Sequence, residues 1–376
     1  MYILNKKGTV PKVYIFPIPN KFCNLGALTM DKIFGLMVHL GTNTWENDHE
    51  CKKVEGMEFD REVWDKIVEG CAREGINTIV LALGEGLRYE SHPELAIEGS
   101  WTHEEMKVEI ERLKKLGIKI IPKMNFSAYH DPWLQEYGRS LISTPEYYKV
   151  CKDLIEEVYE LFEHPEYIHL GLDEEARDDR GEVSKYFRRD EKLFRDWEFL
   201  FKCVHDVGAK VMMWGSTCRQ YTDEEWMPHV SKEKNVIGCG HYYAYGEEDW
   251  TPLSEQDEWV RTYYATDFKK KPIYQDYLAK YGDVPMEYVE QDPCVARNLR
   301  RTEQNFAAGY NQVVIFSNIF LKKNTLSAIK YFSKHPCQNQ IAGYIGCTWR
   351  RTLKENEKYI LEEIELLGEA KRAYLD

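Results

Sequence analysis

The densest run of chemically useful side chains is Tyr167-Ile168-His169-Leu170-Gly171-Leu172-Asp173-Glu174-Glu175. As a strand it alternates, with His169, Gly171 and Asp173 on one face and Leu170 and Leu172 on the other. Adjacent carboxylates in a poorly hydrated site oppose each other's ionisation. One can then stay protonated as a general acid while its neighbour stays charged. The same acids, followed by Arg177, Asp178, Asp179 and Arg180, also fit a solvated loop. Their place at the end of an inward-facing strand favours chemistry.

Aromatic side chains are the second resource. The chain has 10 Trp, 25 Tyr and 15 Phe. Such rings fill a large core, and they also stack on the apolar faces of sugar rings. Trp214 and Trp349 end apolar strands and are cleft candidates, whereas Trp64 and Trp197 lie on helices and read as outer-layer packing.

These groups need elements to position them. A short unit recurs: an amphipathic helix, a glycine, then an apolar strand. Helices are predicted at 59–74, 102–116, 144–162, 189–207 and 295–307. The helix at 102 opens with Thr102 and Glu105, a capping box. The one at 144 opens with Thr144 and Pro145, an N-cap followed by proline in the first turn. Gly75, Gly117, Gly208 and Gly309 follow their helices, where a left-handed residue is wanted. Strands are predicted at 33–40, 76–83, 118–124, 167–172, 209–214, 236–242, 312–318 and 341–347. Continuous apolar runs alternating with helices give an α/β fold with a parallel sheet, and eight strands give a (β/α)8 TIM barrel. A ninth candidate, 272–277, competes with 312–318 for the seventh position. Residues 1–30 read as an N-terminal extension packed on a barrel formed by 31–376. A doubly wound sheet would carry a glycine-rich phosphate turn, and Gly84-Glu85-Gly86 is a poor match.

In such a barrel the working groups sit at the C-terminal strand ends. In order these are His39, then Glu85 and Arg88, then Asn125 and His130, then Asp173, Glu174 and Glu175. Trp214 ends the fifth strand, His241, Tyr242 and Tyr243 the sixth, Ser317 and Asn318 the seventh, and Trp349 and Arg350 the eighth.

Composition sets bounds. Charged residues make up 30% of the 376, and the formal net charge is −13, a field that repels a nucleic-acid backbone. No run of about 18 apolar residues offers a membrane span. Lys6 and Lys7 precede a short apolar stretch broken by Pro17 and Pro19, with no cleavage site after it. That reads poorly as a secretory signal, so the expectation is a cytoplasmic protein. The 10 cysteines form no C-x-x-C pair, and Cys71, Cys151 and Cys203 fall on apolar helix stripes. They read as reduced, buried thiols.

HLGLDEE resembles the H-x-G-G-D-E signature of glycoside hydrolase family 20, the β-N-acetylhexosaminidases. Other segments are similar in the same order. NTIVLALGEGLRYESHPE at 77–94, with Arg88, resembles the second-strand region. IPKMNFSAYH at 121–130 resembles I-P-E-x-D-x-P-G-H, with Asn125 in place of Asp and one extra residue before His130. MMWG at 212–215 and IAGYIGCTW at 341–349 resemble the strands ending in tryptophan.

The resemblance implies a retaining exo-glycosidase using substrate-assisted hydrolysis without a cofactor or metal. Asp173 would orient the sugar's 2-acetamido group, whose oxygen attacks the anomeric carbon. Glu174 would protonate the leaving oxygen and then activate water. His39, Arg88, Asn125, His130, Trp214, Tyr243, Trp349 and Arg350 would line the sugar site. The implied partner is a glycan or glycoside with a terminal amino sugar, not a nucleic acid or a membrane.

Departures from the pattern are also visible. GLMVHLGTNTW lacks the arginine that the family carries after its first strand, and Arg350-Arg351 follow the last tryptophan where the family has an acid. One reading is that Arg350 binds an anionic substituent; another is that it pairs with a nearby acid. Two competing functions stay open. One is a barrel that binds glycans without cleaving them. The other is a metal-dependent sugar isomerase drawing ligands from His39, His169, Asp173, Glu174 and His241.

Overall fold

The computed structural model describes residues 32–41, 54–128, 132–172, 188, 190–214, 221, 223–230, 235–242, 312–317, 324–333, 338 and 341–376. Eight parallel strands close into a barrel in sequence order: β1 (Ile33–His39), β2 (Thr78–Ala82), β3 (Lys119–Lys123), β4 (Tyr167–His169), β5 (Lys210–Trp214), β6 (Val236–Tyr242), β7 (Gln312–Ser317) and β8 (Ile341–Arg351). Each pairs with its neighbours, and β8 closes the ring on β1. The seventh strand is thus 312–317. The segment 272–277, the helix expected at 295–307 with Gly309, and the extension 1–30 lie outside the described residues.

The helices are α1 (Arg61–Arg73), α2 (His103–Lys115), α3 (Pro145–Leu161), α4 (Glu191–Val207), the short α5 (Asp223–Trp226), α6 (Asn324–Phe332) and α7 (Glu357–Tyr374). Their starts are chemically marked. Asp60 accepts hydrogen bonds from the Glu62 and Val63 amides, Thr102 and Glu105 form the expected capping box, and Thr144 accepts from the Tyr147 amide. Each such cap contributes about 1 kcal/mol. Gly75, Gly117 and Gly208 all have positive φ at the helix ends.

Alternation along the strands sorts side chains into two cores. Ile79, Leu81, Ile168, Leu170, Leu172, Val211 and Met213 pack outward against the helices, with Trp64, Trp197, Cys71, Cys151 and Cys203. Met37, Val80, Ile121, Met212, Trp214, Cys239 and Cys347 fill the barrel interior. Cys71, Cys151 and Cys203 are free thiols. No helix among the described residues is long and apolar enough to cross a membrane.

Two strands depart from the sequence reading. β4 ends at His169 rather than 172, because Gly171 and Leu172 both take left-handed φ values, 71° and 64°. β8 runs to Arg351 rather than 347. Its pairing with β1 slips between Met37↔Cys347 and His39↔Arg351, so extra residues bulge out around Trp349.

Candidate active site

The turn at the end of β4 is built to exclude alternatives. The Gly171 amide donates to Nδ1 of the buried His169 over 3.0 Å. That nitrogen must therefore carry a lone pair, which leaves the proton of the neutral ring on Nε2. A Cβ on Gly171 would stand 2.2 Å from Asn125 Oδ1. Glycine is required there both by its positive φ and by this close approach. Leu172 has a side chain and still takes φ 64°. Such a residue stores roughly 1–3 kcal/mol, and strain of this kind clusters at functional sites. The extended course of β4 is thus broken at Gly171 and Leu172. Asp173, Glu174, His130 and Tyr243 themselves lie outside the described residues.

Asn125 is buried just after β3. Its Oδ1 accepts from the Ser127 amide at 3.1 Å and the Ser127 hydroxyl at 2.6 Å. Its carbonyl accepts from Trp133 Nε1 at 2.6 Å. The carboxamide oxygen therefore holds the turn after β3 and forms the surface against which Gly171 fits.

A chain of rings crosses the barrel mouth. His169 meets Trp214 with centroids 4.7 Å apart, Trp214 meets Trp349 at 5.4 Å, and Trp349 meets His39 at 6.2 Å. Trp349 has φ 54° at the β8 bulge, a second left-handed non-glycine residue on this rim. The His39 carbonyl accepts from the Thr352 hydroxyl at 2.8 Å, which ties the end of β1 to the chain leaving β8. The structure thus brings His39, Trp214 and Trp349 together, with His169 and Asn125 beside them. His241 and Tyr242 form the end of β6.

Two arginines of the sequence reading lie after β2 and in β8. Arg88 follows β2, where its amide donates to the Trp101 carbonyl over 2.8 Å, and its side chain is exposed. Arg350 lies one residue beyond the inward Trp349. Its guanidinium stands 5.3 Å over the ring of Tyr359 on α7, on the helix side of the strand. Arg351 pairs with Glu58 at 2.8 Å and Glu355 at 3.4 Å.

Three residues matter that the sequence reading did not select. Lys123, the last residue of β3, is buried, and its Nζ lies 5.9 Å from the Trp214 ring centroid. Its signal was available: in Lys119-Ile120-Ile121-Pro122-Lys123 the alternation that turns Ile121 inward also turns Lys123 inward. Arg188 and Asp196 are both buried beside the turn after β3. Arg188 donates to the Phe126 carbonyl and the Tyr147 hydroxyl, each at 2.9 Å, and to Asp196 at 3.5 Å. Asp196 also accepts from the Ser143 and Tyr148 hydroxyls. Nothing local in the sequence marks Arg188, since its partners come from α3, α4 and the turn after β3. Among the described residues no three His, Cys, Asp or Glu side chains converge as a metal site.

No family model matches the sequence, and no curated protein does. The fold, however, is similar to solved structures of glycoside hydrolase family 20. An exo-β-N-acetylglucosaminidase from Vibrio harveyi, solved with N-acetylglucosamine, matches at TM-score 0.54 and 14% identity over 90% of this chain and 54% of that one. A mutant β-hexosaminidase from Streptomyces plicatus, solved with its product, matches at TM-score 0.53 and 12% identity over 90% and 64%. The pneumococcal exo-β-D-N-acetylglucosaminidase, through a catalytic module of that family, matches at TM-score 0.52 and 13% identity over 90% and 83%. The chain has a divergent barrel fold of the family 20 type. It spans about half to two-thirds of the length of the first two proteins.

Proposed function

We propose that this protein is a retaining exo-glycosidase acting on β-N-acetylhexosaminides or close relatives, with Asp173 and Glu174 as its working pair. The observation that carries this reading is the strained turn at Gly171 and Leu172, which breaks β4 just before that pair and beside Trp214. The aromatic chain from His169 to His39 supports it by supplying faces for a sugar ring. The family 20 fold and the ordered motifs add to it.

In this mechanism the acetamido oxygen bonds to C1 as the bond from C1 to the leaving oxygen breaks. Glu174 supplies the proton to that oxygen. Asp173 holds the acetamido group and balances the positive charge that develops on it. Glu174, now a carboxylate, takes a proton from the water that attacks C1, the bond from C1 to the acetamido oxygen breaks, and its electron pair restores the acetamido carbonyl.

The test is release of nitrophenol from β-N-acetylglucosaminide, β-N-acetylgalactosaminide and hexosides without the acetamido group. Cleavage of the acetamido sugars alone is expected, with kcat falling about 1,000-fold in Glu174→Gln. Equal cleavage of the plain hexosides would remove Asp173 from its role. Absence of cleavage across a panel including charged sugars would favour a glycan-binding barrel.

A further inference from the structure

The connection from β2 to α2 leaves the mouth end of its strand and carries Glu85 and Arg88. Backbone pairing pins its base: the Arg88 amide donates to the Trp101 carbonyl and the Trp101 amide to the Gly86 carbonyl, each over 2.8 Å. Side chains of α3 pin its outer half. Glu157 accepts from the Glu90 amide at 2.6 Å, the Ser91 amide at 2.8 Å and Nε2 of His103 at 2.8 Å. A neutral His103 makes that last bond with its single N–H, and its other nitrogen lies 3.5 Å from the largely exposed carboxylate of Glu90.

His92 is placed differently. Its buried ring lies between two carboxylates: Nδ1 is 2.9 Å from Glu94 of the same connection, and Nε2 is 3.2 Å from Asp153 of α3. Both acids are held from behind. Lys149 donates to Asp153, the Tyr137 hydroxyl donates to Glu94 at 3.2 Å, and Gln135 Nε2 donates to the Glu94 carbonyl at 2.7 Å. The Tyr137 ring stands edge-on to His92 at 6.2 Å. Carboxylates only accept, so each contact calls for an N–H from the ring. A neutral imidazole has one and turns a lone pair on the other acid; an imidazolium has two. Burial pushes both acids up. Hydrogen bonds from Lys149 to Asp153 and from His92 to each more than offset that, and the carboxyls lie below their ordinary 4.5 and 3.8. The acceptors therefore stay charged across the range in which histidine side chains change charge.

We propose that His92 is a proton-operated clasp: as an imidazolium it bridges Glu94 and Asp153 and fixes the connection after β2 to α3, and on losing its proton it releases one of them. Among the described residues the titratable groups in contact with it are Glu94 from its own connection, Asp153 with its partner Lys149 from α3, and Tyr137 from the turn before α3. The bridged form holds the extra proton, so the clasp is firmest in acid and loosens as pH rises between about 5 and 8. The bond from His103 to Glu157 survives in both states. Loosening is thus confined to the short turn Pro93–Leu95, where the Leu95 and Ala96 amides donate to the His92 and Pro93 carbonyls. The clasp does not depend on the glycosidase reading.

The experiment is hydrogen–deuterium exchange of the whole protein, read by mass spectrometry at about pH 5.5 and about pH 8, with each rate divided by its intrinsic value. In the wild type, protection of the peptide at 89–97 is expected to be about tenfold lower at the higher pH, as loss of one charge-assisted hydrogen bond allows. Peptides of α1 are expected to stay level. His92→Gln keeps one donor but takes up no proton, and is expected to show the same low protection at both pH values. Asp153→Asn leaves the ring in place and is expected to shrink the fall; it decides the matter alone if His92→Gln does not fold. Equal protection of the wild type at both pH values would overturn the proposal. So would a full tenfold fall that persists in either variant, which would assign the effect to another group, or a fall shared equally by α1, which would make it global.

Discussion

Two buried cations flank the end of β3 and are treated in opposite ways. Arg188, on the helix side, has a carboxylate, a hydroxyl and a carbonyl for partners. Lys123, on the inner side, has an indole face. The first arrangement locks structure: it ties α4 and α3 to the turn after β3, close to Asn125 and hence to Gly171. The second sets the ammonium against an aromatic face inside the barrel. The contrast teaches that burial of a charge alone does not tell whether it is an anchor; the set of acceptors around it does.

Removing the partner of Arg188 is the strongest way to break this contrast. Asp196→Ala is expected to cost about 3–5 kcal/mol, because the guanidinium stays buried without its carboxylate. Urea unfolding measures it, and a loss under 1 kcal/mol would mean that Arg188 is no anchor. Next comes the turn that Arg188 buttresses. Gly171→Ala is expected to cost about 2–4 kcal/mol, from left-handed strain plus the clash with Asn125. The same unfolding curves report it, and a wild-type midpoint would show that the turn relaxes freely.

A buried group of the other sign sharpens the comparison. Glu363 on α7 approaches Gly346 so closely that a Cβ there would stand 2.5 Å from its carboxylate oxygen. One oxygen accepts from the Thr325 hydroxyl at 3.0 Å, and among the described residues the other has no hydrogen-bond partner. Burial pushes its carboxyl up to about 8 from the ordinary 4.5, with the Thr325 hydrogen bond opposing. A raised acid means that the folded state holds a proton the unfolded chain releases. Its contribution is full below pH 4.5 and is lost as pH rises through about 8. Glu363→Gln is expected to flatten the fall in melting temperature across that window. Parallel pH profiles for the two proteins would refute this. The smallest effect is expected at Lys123 itself. Lys123→Met should leave stability within about 1 kcal/mol of wild type or raise it, since among the described residues the side chain has only the Trp214 face for a partner and an apolar chain packs there as well. A loss like that of Asp196→Ala would erase the distinction between the two cations.

The barrel was legible in the sequence because most strands are apolar runs, side-chain caps at Asp60, Thr102 and Thr144 open three helices, and Gly75, Gly117 and Gly208 close the helices before β2, β3 and β5. Ends were less legible. Nothing in Leu170-Gly171-Leu172 says that a leucine takes a left-handed conformation, and the groups that meet the neighbouring Gly171, Asn125 and the Trp214 amide, are distant in the chain. β8 continues past Trp349 for a similar reason, since its bulge is set by pairing with β1. The inward placement of Trp214 and Trp349 was legible from their places at strand ends. The stacking of Arg350 on Tyr359 was not, because α7 is a helix the sequence reading did not predict. Lys123 was passed over because a lysine at a strand end usually reaches solvent.

The closure of β1 on β8 also sets the order in which this molecule can be made. The Cys347 thiol meets the Met37 sulfur inside the barrel across 310 residues of chain. A ribosome must therefore finish nearly the whole barrel before its first strand gains its last neighbour. Until then β1 presents an unpaired edge of backbone amides and carbonyls, open to association with other nascent chains. Contacts this distant in sequence also slow the final step. The seam where the ring closes ends at Trp349 and His39, so this rim is completed only after β8 has been made.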